Sequence, residues 1–557
     1  MARYEVNQAF IEIIKANGVD RVFYNPGADV IPLLGAIARY KTQGKEAPPT
    51  ILCLDESVAM AAAHGSHMVS GRPQVVLVHS ELGTMQIGGA LHQAQWGRVP
   101  AVICAALREP QERQTWKREP FDQGSIVRNC VKWDHYIAET ENFADVLDRA
   151  FQIATSEPKG PVYLWYKRDL LFKNIEVKLE LLEIKPKSTS TPEFDSAILN
   201  RIADLLLKAQ SPLIMTGYSG RNHGAVASLV ELAETVGSRV ITAPFNMNFP
   251  SNHPLCANIE PNDGPQVKNP YINLADVLIV IDYDLSYATP RDKPGPETRI
   301  VHIDIDFTKQ GVPLWNRKPD IFIQGNSSQI IPALIEILRP KITLEIQTKI
   351  KQRVEQLQTE HKKLRDEWLA MALKASSQKP ISPEWVCYCL NKVIDENTIV
   401  VNQTIGPAVS VSRQIAMTKP GTSVACSGGS MGWAPGAALG VKINAPDKMV
   451  VSLMGDGVFV YGCPTATLWP AVYYKAAFLS IIFNNQEYGA IKMGFKMAYP
   501  EGTWAAEIVP SPEYAMTAQA CGAYGRKIED PGDVLPALHE AIQQVRNGKP
   551  AVLDVRI

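Results

Sequence analysis

"VVSLMGDGVFVYGCPTATLWPAVYYKAAFLSIIFNN", residues 450–485, contains two apolar runs of strand length, each ending abruptly in polar residues. VVSLM gives way to Gly455-Asp456-Gly457, a sequence expected to break both strand and helix. PTATLWPAVYYKA (464–476) then supplies a crossover helix, and FLSIIF (478–483) returns as a parallel strand that ends in Asn484-Asn485. In a parallel sheet both polar ends reach the same carboxyl edge. The crevice outside that edge is where open α/β sheets bind ligands.

The donor types at this edge narrow the ligand. Asp456 offers a carboxylate, Asn485 an amide oxygen, and the chain near Glu487 a main-chain carbonyl. Such a hard-oxygen set suits Mg²⁺ or Ca²⁺ rather than zinc. So few protein ligands suit Mg²⁺ when phosphates complete its octahedron, and glycines beside Asp456 let the backbone approach those phosphates. The expectation is a metal-diphosphate site.

The same alternation extends outward along most of the chain. VVLVH (75–79), AVICAAL (101–107), PVYLWY (161–166), PLIMTG (212–217), VLIVID (277–282), IVHIDID (300–306) and AVLDVRI (551–557) have the apolar character of buried parallel strands. Helical periodicity lies between them, as in 224–237 and 532–548. The fold class expected is α/β, with doubly wound parallel sheets covered by helices on both faces. A Lys-, Ser-, Thr- and Pro-rich stretch (173–194) and a highly charged helical stretch (349–368) mark two boundaries. Three domains follow, at 1–180, 190–345 and 375–557. The first and third share a plan without any visible sequence repeat, so a duplication between them would be structural.

Composition excludes several classes. The chain has 557 residues, too many for one core. Lys+Arg number 56 against Asp+Glu 57, so no basic surplus exists for a nucleic-acid partner. No run approaches the length of a membrane span, and the charged amphipathic start (1–20) is not a signal peptide. Nine scattered cysteines without a CxxC pair fit a reducing compartment, so a cytoplasmic location is expected. Cys387 and Cys389 read as core rather than as metal ligands.

The pairing of GDG with a distant NN resembles the thiamine diphosphate (ThDP) enzymes, in particular the branch of acetolactate synthase, pyruvate oxidase and benzoylformate decarboxylase. Two further segments carry the resemblance. "TILCLDESVAMAAAHGSHMVSGRP" (50–73) matches the corner where that family keeps an activating glutamate, through Glu56, Ala59, Ala63, Gly71, Arg72 and Pro73. "SGGSMGWAPGAALG" (427–440) matches the stretch that cradles the aminopyrimidine ring. The three domains then become a pyrimidine-binding, a middle and a diphosphate-binding domain.

By this resemblance Asp456, Asn485 and the main-chain oxygen of Glu487 hold Mg²⁺, and Gly455, Gly457, Val458, Asn485 and Tyr488 face the cofactor. Gly429 meets the amino group of the pyrimidine, and Met431 is the apolar wedge under the bent cofactor. Glu56 is the carboxylate that hydrogen-bonds the pyrimidine nitrogen; its alternative is an ordinary helix cap. Gln403 and Ile405, in "VNQTIGPA" (401–408), are pocket candidates.

His79, in "VVLVHSELGTMQIGGALHQA" (75–94), matches the histidine of the benzoylformate decarboxylase H-S-x-x-G-T segment and suits a proton shuttle. Three departures blur the particular member. Ala28 stands where that enzyme has a substrate-contacting serine, "VIDYDLSYATPRDKP" (280–294) lacks its second histidine, and Glu81-Leu82-Gly83 replaces the Gly-Pro-Gly loop of acetolactate synthases. The polar loop 107–129, with Trp116, Lys117 and Arg118, is either a gate or a solvated loop.

The resemblance implies cleavage or formation of a carbon–carbon bond beside a carbonyl: 2-oxo acid decarboxylation, acyloin carboligation, or both. An acetolactate synthase-type transferase is the alternative, and a non-catalytic scaffold of this fold is a third reading, opposed by the intact Glu56, Asp456 and Asn485. Partners are small 2-oxo acids or aldehydes and a second copy of the chain, in a homodimer or homotetramer with active sites at the subunit interface. Some relatives bind FAD in the middle domain; "TGYSGRNHG" (216–224) is a glycine-rich turn that by itself does not support it.

Overall fold

A computed structural model describes the chain except residues 108–121, 184–194, 244, 258–269, 285–293, 307–308, 310–318 and 503–505, and the side chain of 270. The loop residues Trp116, Lys117 and Arg118 fall outside the described residues, as does most of 280–294 beyond Asp284.

Three parallel sheets form the chain. In the first domain, β1 (Ala2–Glu5) pairs antiparallel with β8 (Asn174–Val177) and ties the N-terminus down. Between them run β2 (Val22–Tyr24), β3 (Thr50–Leu52), β4 (Gln74–Val78), β5 (Ala101–Leu107), β6 (Trp133–Ile137) and β7 (Val162–Lys167). Their order in the sheet is β3-β2-β4-β5-β7-β6. The middle domain has β9 (Pro212–Thr216), β10 (Arg239–Thr242), β11 (Val277–Ile281), β12 (Arg299–Asp304) and β13 (Ile321–Gln324), in the order β10-β9-β11-β12-β13.

The last domain has β14 (Ile399–Gln403), β15 (Ser423–Ala425), β16 (Val450–Gly455), β17 (Leu479–Asn484), β18 (Tyr524–Ile528) and β19 (Ala551–Arg556). Its order, β15-β14-β16-β17-β19-β18, repeats that of the first domain strand for strand. The shared plan is therefore a duplication of topology. The charged stretch is one helix, Leu344–Lys374, with only Leu357 and Ala372 buried, and it connects the middle and last domains.

The quoted stretch corrects one expectation. Gly455-Asp456-Gly457 does not interrupt both elements: Gly455 closes β16, and Asp456 begins the short helix Asp456–Tyr461. The crossover accordingly uses two helices, the second being Pro464–Tyr473. β16 and β17 are adjacent and parallel, with Gly455 opposite Phe483, so Asp456 and Asn485 emerge at one edge.

Small residues explain how the outer domains meet. The helix Glu56–Ser70 packs along the helix Trp433–Asn444. A Cβ on Gly65 would lie 2.0 Å from the Ala437 carbonyl oxygen, and one on Gly440 1.8 Å from that of Ala62. Glycine is required there because the two backbones touch. The seam is locked by the Trp433 indole, whose Nε1 donates to His64 Nδ1 at 3.0 Å. Cys387 and Cys389 lie buried in the helix Pro383–Val393, and all nine cysteines are free thiols.

Candidate active site

At the carboxyl edge of the last sheet, Asp456 is almost wholly buried. Its Oδ1 accepts from Gly457 N at 2.8 Å and its Oδ2 from Gln486 N at 2.9 Å. No cation pairs with it among the described residues, and burial pushes its carboxyl above the ordinary range. A buried carboxylate held only by amides is a ready partner for a divalent cation.

The two asparagines divide the work. Asn484 is buried and structural: its Nδ2 donates to Asp554 Oδ1 at 2.9 Å and its Oδ1 accepts from Gln486 N at 3.2 Å. Asn485 follows β17 and lies half-buried, its Oδ1 accepting from Glu487 N at 3.3 Å. Gln486 adopts a left-handed backbone (φ 60°), which turns the chain so that its amide faces Asp456. Sequence patterns gave no sign of this residue's part.

The remaining positions at this edge differ in what they present. Tyr488 lies over Gly457, where a Cβ would come 3.4 Å from its ring. Val458 sends its side chain into the core with Met454 and Phe459, so only its backbone faces the edge; Met431 packs half-buried on the same cluster. Ile405 is exposed, and a Cβ on Gly429 or Gly455 would meet nothing within 4 Å. Gln403 braces the glycine-rich loop: its Nε2 donates to Ser430 O at 2.6 Å and its Oε1 accepts from Ala434 N at 2.9 Å. The open cradle at Gly429 and the hard-oxygen set at Asp456 fit a Mg²⁺-bound ThDP. Among the described residues no group of three or more His, Cys, Asp or Glu could hold a metal ion; a Mg²⁺ at Asp456 would draw its other ligands from amide and main-chain oxygens, phosphates and water.

On the first domain, Glu56 opens its helix and is buried, but it is not the cap. Asp55 caps instead, its carboxylate accepting from Ser57 N at 2.8 Å. Glu56 is thereby released for another task. A Cβ at position 83 would lie 2.6 Å from Glu56 Oε1, which accounts for glycine in Glu81-Leu82-Gly83.

His79 ends β4 and has a partner that sequence reading missed. Its Nδ1 lies 2.7 Å from Asp29 Oδ1, and Asp29 Oδ2 accepts from Ser80 N at 3.0 Å. A carboxylate on Nδ1 makes that nitrogen the donor and so fixes the tautomer of the ring. Gly27 permits the arrangement, since a Cβ there would fall 1.9 Å from His79 Nδ1. The signal was an acid shortly after Asn25-Pro26-Gly27, at a place where the motif drew attention to Ala28 instead.

Gln93 was also missed. From the helix Gly88–Trp96 it reaches the glycine-rich loop of the last domain, donating to Gly428 O at 2.9 Å and accepting from Gly428 N at 2.6 Å. Among the described residues no hydrogen bond or ion pair joins Glu56 to Asp456.

Sequence comparison places this architecture in a class of cofactor-dependent enzymes. Models of the N-terminal thiamine pyrophosphate-binding, the central and the C-terminal thiamine pyrophosphate-binding domains of thiamine pyrophosphate enzymes match residues 4–126, 199–334 and 405–555. The chain belongs to the ThDP-dependent enzyme family. It is 26% identical to a probable acetolactate synthase large subunit of Methanocaldococcus jannaschii, over 99% of this chain and 91% of that one. It is 25% identical to a benzoylformate decarboxylase of Pseudomonas aeruginosa, over 87% of each. A ThDP-dependent 4-hydroxybenzoylformate decarboxylase of Rhodococcus jostii RHA1 has the same fold, with a TM-score of 0.83, 20% identity and 99% of both chains covered. No helix among the described residues is long and apolar enough to cross a membrane.

Proposed function

We propose that this chain is a Mg²⁺- and ThDP-dependent lyase or carboligase that cleaves or forms a carbon–carbon bond beside a carbonyl, acting on 2-oxo acids and aldehydes. The observation that carries this reading is Glu56, a buried carboxylate relieved of capping by Asp55 and seated against Gly83, on the helix that follows His79. Asp456, Asn485 and the Glu487 carbonyl would hold Mg²⁺, with the Gly455–Val458 backbone and Tyr488 beside the diphosphate. Gly429, Met431, Gln403 and Ile405 would receive the rest of the cofactor and the substrate.

When bound, ThDP supplies the electron sink for an acyl carbanion, which no side chain can stabilise. Glu56 would hold a proton at the pyrimidine nitrogen, and His79 Nε2 would move one at the reacting carbon, its tautomer fixed by Asp29. Domain limits of 1–180, 190–345 and 375–557 and a cytoplasmic location accompany the proposal.

The active unit would be a homodimer or homotetramer. Leu54, Leu82 and Met85 are about half exposed around Glu56, as are Ile405, Val460 and Tyr461 near Asp456. Apolar side chains on both motif-bearing edges are what a second copy of the chain would cover.

An acetolactate synthase-type transferase is the second reading, supported by end-to-end similarity to the Methanocaldococcus jannaschii protein. The deciding experiment measures CO₂ release and acyloin formation from a panel of 2-oxo acids, with and without aldehydes, in the presence of ThDP and Mg²⁺. Aldehyde as main product supports the decarboxylase, acetohydroxy acids the synthase, and no turnover of any member refutes both.

A further inference from the structure

The middle sheet order places its switch point between β9 and β11, where doubly wound folds hold nucleotides. The turn "TGYSGRN" (216–222) leaves β9 there, and Asp282 to Asp284 leave β11. In a dinucleotide site the amides of such a turn face phosphate, and its glycines make room for it. Here the amides of Gly217, Tyr218 and Gly220 are already engaged. Gly217 N and Tyr218 N both donate to Asp282 O, at 3.2 and 2.8 Å, and Gly220 N donates to Asn248 Oδ1 at 2.8 Å. The glycines are also crowded by protein. A Cβ on Gly217 would lie 3.0 Å from the Tyr283 ring, and one on Gly220 2.3 Å from Met247 O.

The first domain enters this crevice. Arg98, buried and in a left-handed conformation (φ 54°), stacks its guanidinium 4.4 Å from the centre of the Tyr218 ring and pairs with Asp284. The Tyr218 hydroxyl donates to Trp96 O at 3.0 Å. Lys309, also buried, bridges Asp284 Oδ1 and Asp304 Oδ2, both at 2.5 Å. Asp282 Oδ2 accepts from the hydroxyls of Ser219 (3.1 Å) and Ser327 (2.5 Å). Arg221 stands over the same Tyr218 ring, 5.3 Å from its centre, and also reaches Glu157 of the first domain at 3.4 Å. Burial would raise the carboxyls of Asp284 and Asp304, but both are held low, with the Arg98 and Lys309 charges contributing at each.

We propose that the middle-domain crevice is a socket for Arg98, an ion-paired lock between the first two domains that stands at the switch point where doubly wound folds hold a nucleotide, so that this chain binds no FAD. Arg98 and Lys309 are spent on the crevice's own carboxylates, so neither is left to receive a diphosphate. The glycine-rich turn serves protein packing. The inference is independent of which reaction the ThDP site performs.

The test has two arms. Protein purified without added flavin is denatured and its supernatant read for flavin fluorescence, and the native protein is titrated with FAD and with ADP to about 1 mM, well above the affinities typical of cofactor sites. No flavin and no saturation are expected; stoichiometric flavin or saturable ADP binding overturns the proposal. In the second arm Arg98→Ala is expected to lower the melting midpoint by roughly 5 °C or more, because a buried charge loses its partner. It should also open a proteolytic site between the first and middle domains. Should Arg98→Ala not fold, Arg98→Lys, which lacks the stacked planar fork, replaces it in both readouts. An unchanged midpoint and digestion pattern overturns the lock.

Discussion

Gln93 grips the Gly428 peptide from both sides, its Nε2 on the carbonyl and its Oε1 on the amide, although the two residues belong to different domains. The same side chain accepts from Ser427 N at 3.0 Å and donates to Ser430 O at 2.5 Å. One buried amide thus shapes the loop in which Gly429 remains open.

Gln93→Leu keeps the volume and removes these hydrogen bonds. Expected is a folded protein whose ThDP affinity, measured by calorimetry in excess Mg²⁺, falls by roughly tenfold or more, each lost bond to a buried partner costing about 1–3 kcal/mol. An unchanged Kd would deny the loop its dependence on this residue.

Asp29→Asn removes the charge behind His79 while preserving size. Turnover is expected to drop by roughly 10²-fold, within the usual range for general acid–base catalysis, with KM little changed and the pH–rate profile displaced. A matching loss in His79→Gln, with no further loss in the double variant, identifies the pair as one unit. Additive losses would separate them.

The metal edge and the activating carboxylate should part cleanly. Asp456→Ala is expected to abolish Mg²⁺-dependent ThDP binding, whereas Glu56→Gln binds the cofactor and loses most of its C2 proton exchange, followed by NMR. Near-wild-type exchange in Glu56→Gln removes that residue from the mechanism.

Light scattering should show at least a dimer. Leu82→Lys or Tyr461→Lys, placing charge on the exposed apolar edges, is expected to shift the protein toward monomer and reduce activity in parallel. A fully active monomer contradicts shared sites.

Acid should loosen the seam between the outer domains. Burial holds the His64 pKa down to about 3 and that of His67 to about 4. The Trp433 indole can only donate, so His64 must keep Nδ1 unprotonated. In the unfolded chain both titrate near ~6.5. Below that value the unfolded state binds protons that the folded state refuses, so stability falls as pH falls, by about 1.4 kcal/mol per unit per histidine until the folded value is reached. Asp554, raised to about 6 by burial, works against this in the same range, so urea midpoints from pH 7 to 5 should decline less steeply in His64→Gln than in the wild type. Parallel slopes would exclude His64 from the effect.

Much of this was legible in the residues themselves. Apolar runs cut short at Gly455 and Asn484 announced parallel strands and their ligand edge, because strand periodicity and its punctuation are local properties of the chain. The small-residue helix after Glu56 likewise announced itself, but the helix after Gly432 that it packs against did not. The expected break at Gly455-Asp456-Gly457 failed because a helix N-terminus can begin directly at an aspartate where a strand ends.

What the sequence determined, then, was the alternation of strands and helices, the three-domain plan and the two motif-bearing edges, since each depends on neighbours along the chain. Tertiary structure alone decided that Asp29 backs His79, that Gln93 crosses to Gly428, that Arg98 fills the middle-domain crevice, and that the first and last sheets share one strand order. Those contacts join residues distant in sequence, and their partners are chosen by how buried surfaces pack and by which polar atoms burial obliges to pair.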